Sequence, residues 1–70
     1  MKLRNEEPEA LLRIPEAAAF LGVKESTLRF WRWQDRGPAS FKVGNAVVYR
    51  REALEAWLAA QAVATTRGGR

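Results

Sequence analysis

The stretch Ala17-Ala18-Ala19-Phe20-Leu21-Gly22-Val23-Lys24-Glu25-Ser26-Thr27-Leu28-Arg29-Phe30-Trp31-Arg32-Trp33 decides how this chain folds. An apolar run ends at Leu21-Gly22-Val23, and a second, amphipathic run follows at once. Glycine takes up the left-handed backbone that ends a helix without the clash a Cβ brings, so Gly22 marks a helix end and a sharp turn. The first helix starts upstream at Ile14-Pro15-Glu16. Proline suits a first helical position, where its missing N–H has no partner to lose, and glutamate suits the positive helix end. Ile14 itself offers no capping oxygen. The second helix is expected over residues 25–35. At about 100° per residue, Leu28, Trp31 and Asp35 fall on one side of it, with Ser26, Arg29, Phe30 and Trp33 on the other. Leu28 and Trp31 are therefore the inward contacts, met by Ala18, Leu21 and Val23 from the preceding segment. The outer face is left to be covered by the rest of the chain or to meet a partner.

Downstream, Arg36-Gly37-Pro38 breaks the helix, and Phe41-Lys42-Val43-Gly44-Asn45-Ala46-Val47-Val48-Tyr49-Arg50 alternates like a β-hairpin bent at Gly44. Register matters here, because a slip of one residue turns every side chain to the other face. A two-residue loop at Gly44-Asn45 pairs Val43 with Ala46 and leaves Val47 and Tyr49 on the outer face. A three-residue loop pairs Val43 with Val47 and Phe41 with Tyr49, burying all four and turning Lys42, Val48 and Arg50 outward. The three-residue loop is the expected one. A last helix over residues 51–64 carries Leu54, Trp57 and Leu58, with Gln61 next in line, as a core-facing stripe. Trp31 and Trp57 are both expected to be structural. Residues 1–11 read as a flexible lead-in, 12–64 as the folded domain and 65–70 as a flexible basic tail. Two helices about a tight turn, followed by a twisted hairpin, make a winged helix-turn-helix: a mainly α domain with a small β-hairpin.

Charge points to the same face. Residues 24–51 hold seven basic side chains against Glu25 and Asp35, whereas residues 1–16 hold three against four acidic ones. Charge of one sign gathered on the second helix and the segment after it is the footprint of a polyanion site. The chain has no cysteine and no histidine, so disulfides, the usual zinc sites and Cys- or His-based catalysis have no residues to work with. Its carboxylates are dispersed on solvent faces and no glycine-rich phosphate loop is present, so neither an enzyme nor a cofactor, metal or small-molecule ligand is expected. No apolar run nears the ~18 residues of a membrane span, and Met1-Lys2-Leu3-Arg4-Asn5-Glu6-Glu7-Pro8 is too polar for a signal peptide. A cytoplasmic location with no membrane partner is the expectation.

Residues 12–58 resemble the winged helix-turn-helix of the excisionase family, which is related to MerR- and AlpA-type DNA-binding domains. The resemblance rests on Pro15-Glu16-Ala17-Ala18 before Leu21-Gly22-Val23, then Ser26-Thr27-Leu28 and Trp31-Arg32. It continues through Gly37-Pro38, Lys42-Val43-Gly44, Val47, Tyr49-Arg50-Arg51-Glu52 and Leu54-Glu55-Ala56-Trp57-Leu58. It implies a recombination directionality factor from a phage or mobile element, one that binds repeated sites near an attachment site, bends DNA and directs an integrase toward excision. The implied partners are double-stranded DNA, an integrase and neighbouring copies of the chain itself. Two features depart from the family pattern. Lys24 stands where relatives often carry a capping serine or threonine, and Asn45, Ala46 and Val48 stand where their wings are often arginine-rich.

The expected DNA-contacting residues are Lys24, Ser26, Thr27, Arg29, Phe30, Arg32 and Trp33 on the recognition helix, and Lys42, Asn45 and Arg50 on the wing. Arginine pairs bidentately with guanine, and the helix start, with Lys24 and Thr27, suits a phosphate. Phe30 and Trp33 have two readings, covered by the wing or last helix, or in contact with DNA or a neighbour. A small transcriptional regulator of the same class is the alternative function, and a protein–protein adaptor a further one. The small size, with no effector domain, favours the excisionase reading over the regulator.

Overall fold

The chain runs β1 (Leu11–Arg13), α1 (Ile14–Leu21), α2 (Glu25–Trp33), β2 (Phe41–Val43), β3 (Ala46–Arg50) and α3 (Arg51–Thr65). The computed structural model describes residues 11–69, so residues 1–10 of the lead-in expected over 1–11, and the last residue of the tail, lie outside the described residues.

The α1 helix begins after Arg13, whose backbone N–H donates to the Glu16 carboxylate at 2.8 Å. It ends in a Schellman motif. Gly22 sits at φ 76°, the Val23 N–H donates to the Ala18 carbonyl at 3.0 Å and the Gly22 N–H reaches Ala19 at 3.2 Å. Residues 22–24 are the whole turn before α2. The α2 helix stops at Trp33, two residues short of the expected end. Asp35 takes φ 59° there, and the Arg36 N–H closes back on the Trp31 carbonyl at 2.7 Å. Asp tolerates the left-handed region better than most residues, and Gly37-Pro38 cannot prolong a helix.

The sheet has three antiparallel strands in the order β1-β3-β2, one more than the hairpin expected. Leu11, the last residue of the expected flexible lead-in, pairs instead with Arg50, and Leu12 pairs with Tyr49. The hairpin register also differs from expectation: Val43 pairs with Ala46, Lys42 with Val47 and Phe41 with Val48, across a two-residue loop. The turn explains this. Gly44 has φ 62° while Asn45 does not have positive φ, the pattern of a II′ turn, which carries glycine first and matches strand twist. The longer loop suits a strand with a single buried face. With β1 on its other edge, β3 is a central strand and buries side chains on both faces. Tyr49 is 1% exposed on the helix side and Val48 is 6% exposed on the other. Phe41 and Val43, expected in the core, lie on that other face and are exposed, Val43 at 55%.

Ala17, Ala18, Leu28, Tyr49 and Leu54 form the core, with Leu12, Ile14, Phe20, Leu21, Val23, Trp31 and Val47 half-buried around it. Alanines on α1 bring its backbone close to α2, so Leu28 is wholly enclosed. The Trp31 and Trp57 rings meet at 5.3 Å between centroids, tilted by 44°, at the half-buried margin of this core with Leu58 nearby in α3. Packing of α3 on α1 and β3 closes the unit. Two helices on a tight turn with an adjoining antiparallel sheet make the architecture a winged helix-turn-helix.

Candidate nucleic-acid interface

With Leu28 fixing its phase, α2 presents Ser26, Arg29, Phe30 and Trp33 to solvent and leaves Thr27 half-buried. Its N-cap is Lys24, in extended conformation (φ −73°, ψ 151°) with no side-chain capping bond. The first intrahelical donor is the Leu28 N–H, which reaches the Lys24 carbonyl at 3.1 Å. The N–H groups of Glu25, Ser26 and Thr27 therefore lie beyond the reach of the helix's own carbonyls, at the positive end of its dipole. A phosphate fits that end, and the exposed Lys24 side chain stands beside it.

The Arg29 guanidinium is engaged with Glu25 at 3.5 Å, one helical turn back, and both side chains are about half exposed. An exposed i,i+4 pair of this kind holds the arginine loosely, by about 0.3–0.5 kcal/mol. Phe30 is 51% exposed and Trp33 79% exposed, so neither the wing nor α3 covers them. They stack on one another instead, centroids 6.2 Å apart and planes 25° from parallel.

Arg32 is placed differently. Its Nε–H donates to the Ser40 hydroxyl at 3.0 Å in a partly buried setting, and the Ser40 hydroxyl and the Arg32 charge both act on the Tyr49 phenol. Burial raises the Tyr49 pKa above the ordinary tyrosine value, with the Ser40 hydroxyl and the Arg32 charge pulling it back. Arg32 thus ties the end of α2 to the loop that leads into β2.

The three wing residues do not converge. Lys42 pairs with Val47 and points to one side of the sheet, whereas Arg50 lies on the opposite side with its guanidinium 5.1 Å over the Phe41 ring. The expected register had Lys42 and Arg50 pointing outward together. Asn45 stands exposed in the turn.

A groove of about 520 Å³ runs beside the end of α2, lined by Arg32, Trp33, Arg36, Pro38 and Ser40 among others. It is continuous with the aromatic and basic surface rather than a separate pocket. Among the described residues, no group of three Asp, Glu, His or Cys side chains is placed to hold a metal ion.

Ser40 carries no signal in the sequence, and Gly37 is legible there only as part of the helix break. A Cβ on Gly37 would stand 3.1 Å from Trp31 Cε3, and the residue has φ 79°, so this glycine lets the loop lie flat on the tryptophan. The Gly37-Pro38 break hinted at a loop, but no periodicity marks Ser40 as the partner of Arg32.

Residues 11–62 match the profile of a protein family described as Helix-turn-helix domain. No curated protein and no solved structure matches the chain.

Proposed function

The chain belongs to this helix-turn-helix family, whose members bind double-stranded DNA, and we propose that it acts on DNA as an excisionase-type accessory factor. The observation that carries the DNA reading is the solvent face of α2: an uncapped N-terminus beside Lys24, then Ser26 and Arg29 directed outward. In this reading α2 enters the major groove. A phosphate seats on the free N–H groups of its first turn, with Lys24 and Thr27 beside it. Arg29 leaves Glu25 for the O6 and N7 of a guanine, and Ser26 meets the adjacent base edge. Lys42 and Asn45 contact the backbone or minor groove from the wing, while Arg50, held over Phe41, is a lesser contributor. Arg32 acts by positioning α2 through Ser40.

The excisionase role follows from how little one copy can read. A nine-residue helix is about 14 Å long and spans roughly four base pairs. Unique recognition then requires repeated sites, occupied by copies side by side in one orientation. Curving a 20–30 base-pair site by 40–90° costs about 1–6 kcal/mol, which the added contacts of neighbouring copies offset. Such a bend brings separated integrase sites together, and the resemblance across residues 12–58 supports this role. The protein then works in the cytoplasm, where the DNA is.

Titration of the natural site in a gel-shift assay should give stepwise, cooperative complexes, with circularly permuted probes reporting a bend. A single non-cooperative complex on straight DNA selects the transcriptional-regulator reading. Binding to duplexes without steep salt dependence selects the adaptor.

A further inference from the structure

Resting on the reading of α2 as the DNA-reading helix, we infer that Phe30 reads the 5-methyl group of thymine in the major groove, with Trp33 stacked behind it. The chain then selects sites with a thymine next to the guanine read by Arg29. Of the five exposed side chains of α2, Glu25, Ser26 and Arg29 are polar or charged and two are large aromatics, left 51% and 79% exposed. So much apolar surface on a helix directed at DNA calls for an apolar target, and the thymine methyl is the apolar group that the major-groove edge presents.

The geometry fits that target. Arg29 and Phe30 are consecutive, and Ser26 to Trp33 covers about 10 Å along the helix, or roughly three base steps. The partners of Arg29 and Phe30 are thus adjacent base pairs. The stack at 6.2 Å and 25° holds the Phe30 ring in place before DNA arrives, which lowers the ordering cost on binding. The surround decides against an apolar protein face as the occupant. Lys24, Arg29 and Arg36 are exposed on α2 and the turn after it, with Glu25 and Asp35 as the acidic neighbours, and within residues 24–51 basic side chains outnumber acidic ones seven to two. That balance is complementary to a polyanion and not to a hydrophobic surface.

The test begins with duplexes selected by the full chain from a randomised pool. Each thymine of a selected duplex is then replaced, one position at a time, by deoxyuridine, which removes the methyl and leaves the pairing edges unchanged. We expect about a fourfold loss of affinity at one or two thymines beside the guanine, the value of one buried methyl-sized group. The Phe30→Ala variant should bind both forms equally, and Phe30→Leu should restore part of the discrimination. Phe30 is solvent-exposed, and the DNA-side change leaves the protein untouched, so misfolding cannot imitate the result. Equal binding of thymine and deoxyuridine duplexes by the unaltered chain overturns the inference while the DNA-reading function stands. So does self-association of the free chain that Trp33→Ala abolishes, if uracil substitution has no effect, since the pair then seats a second copy. Failure to select any duplex overturns the DNA-reading function itself and this inference with it.

Discussion

Arg29 is the side chain on which base selection is expected to turn. Its bond to Glu25 is solvent-exposed and long, so little is lost when the guanidinium moves to a guanine. Arg29→Ala should lower affinity for a selected duplex about 10- to 100-fold, in line with about 1–3 kcal/mol for a bidentate base contact, and lower affinity for random duplex far less. Equal losses on both would make Arg29 a phosphate contact. Tyr49 offers a prediction of another kind. Its folded pKa is raised chiefly by burial, so the folded chain keeps the phenolic proton after the unfolded chain has lost it. The stability it contributes is complete below about pH 10 and is lost as pH rises through the folded value. Tyr49 is the only tyrosine, so phenolate absorbance reports on it alone. Its alkaline midpoint should lie above that of the same chain in denaturant. Coincident midpoints would put the phenol in water.

Three attachments hold α2 against the rest of the fold, and they differ in strength. Leu28 fills the space between the α1 alanines and Leu54, so Leu28→Ala should cost about 2–5 kcal/mol and leave little folded protein. Trp31 and Trp57 sit at the margin, half-buried, so Trp57→Ala should cost less than the ~3–5 kcal/mol of an enclosed aromatic and leave a cooperative, lowered melt. Ser40→Ala should cost about 1 kcal/mol in thermal or denaturant unfolding through loss of the Arg32 tether. An unchanged melting curve for Ser40→Ala would show that the tether contributes nothing. These elements were not equally legible in the sequence. The end of α1, the turn and the outward face of α2 could be read because Gly22 and the spacing of Leu28 from Trp31 are local signals. Strand β1 could not, since Leu11-Leu12-Arg13 is too short for a period and its partner lies at the far end of the chain. The hairpin register failed because burial was weighed on one face of a strand that buries both. Ser40 needed the tertiary fold to bring it to Arg32.

The described part of the molecule is flat and elongated, 43 × 30 × 17 Å, with α3 running past the core. From Ala59 onward that helix is exposed on every side, and Val63 is 85% exposed. Among the described residues, Lys24, Arg29, Arg32, Arg36 and the open helix end lie together at α2 and the turn that follows it, against Glu25 and Asp35, and this is the surface suited to a polyanion. If that face makes roughly three to five phosphate contacts, the logarithm of affinity should fall against the logarithm of salt with a slope of about −3 to −4.5. The claim on which everything else depends is that this face, led by α2, is the one that meets DNA. Backbone amide chemical shifts of the labelled chain, followed during titration with a selected duplex, test it most directly. The account predicts the largest changes at residues 24–30 and at Gly44 and Asn45, with small ones at β1 and the exposed end of α3. Changes concentrated on α3 and β1, with the α2 amides unmoved by a duplex that binds, would contradict it.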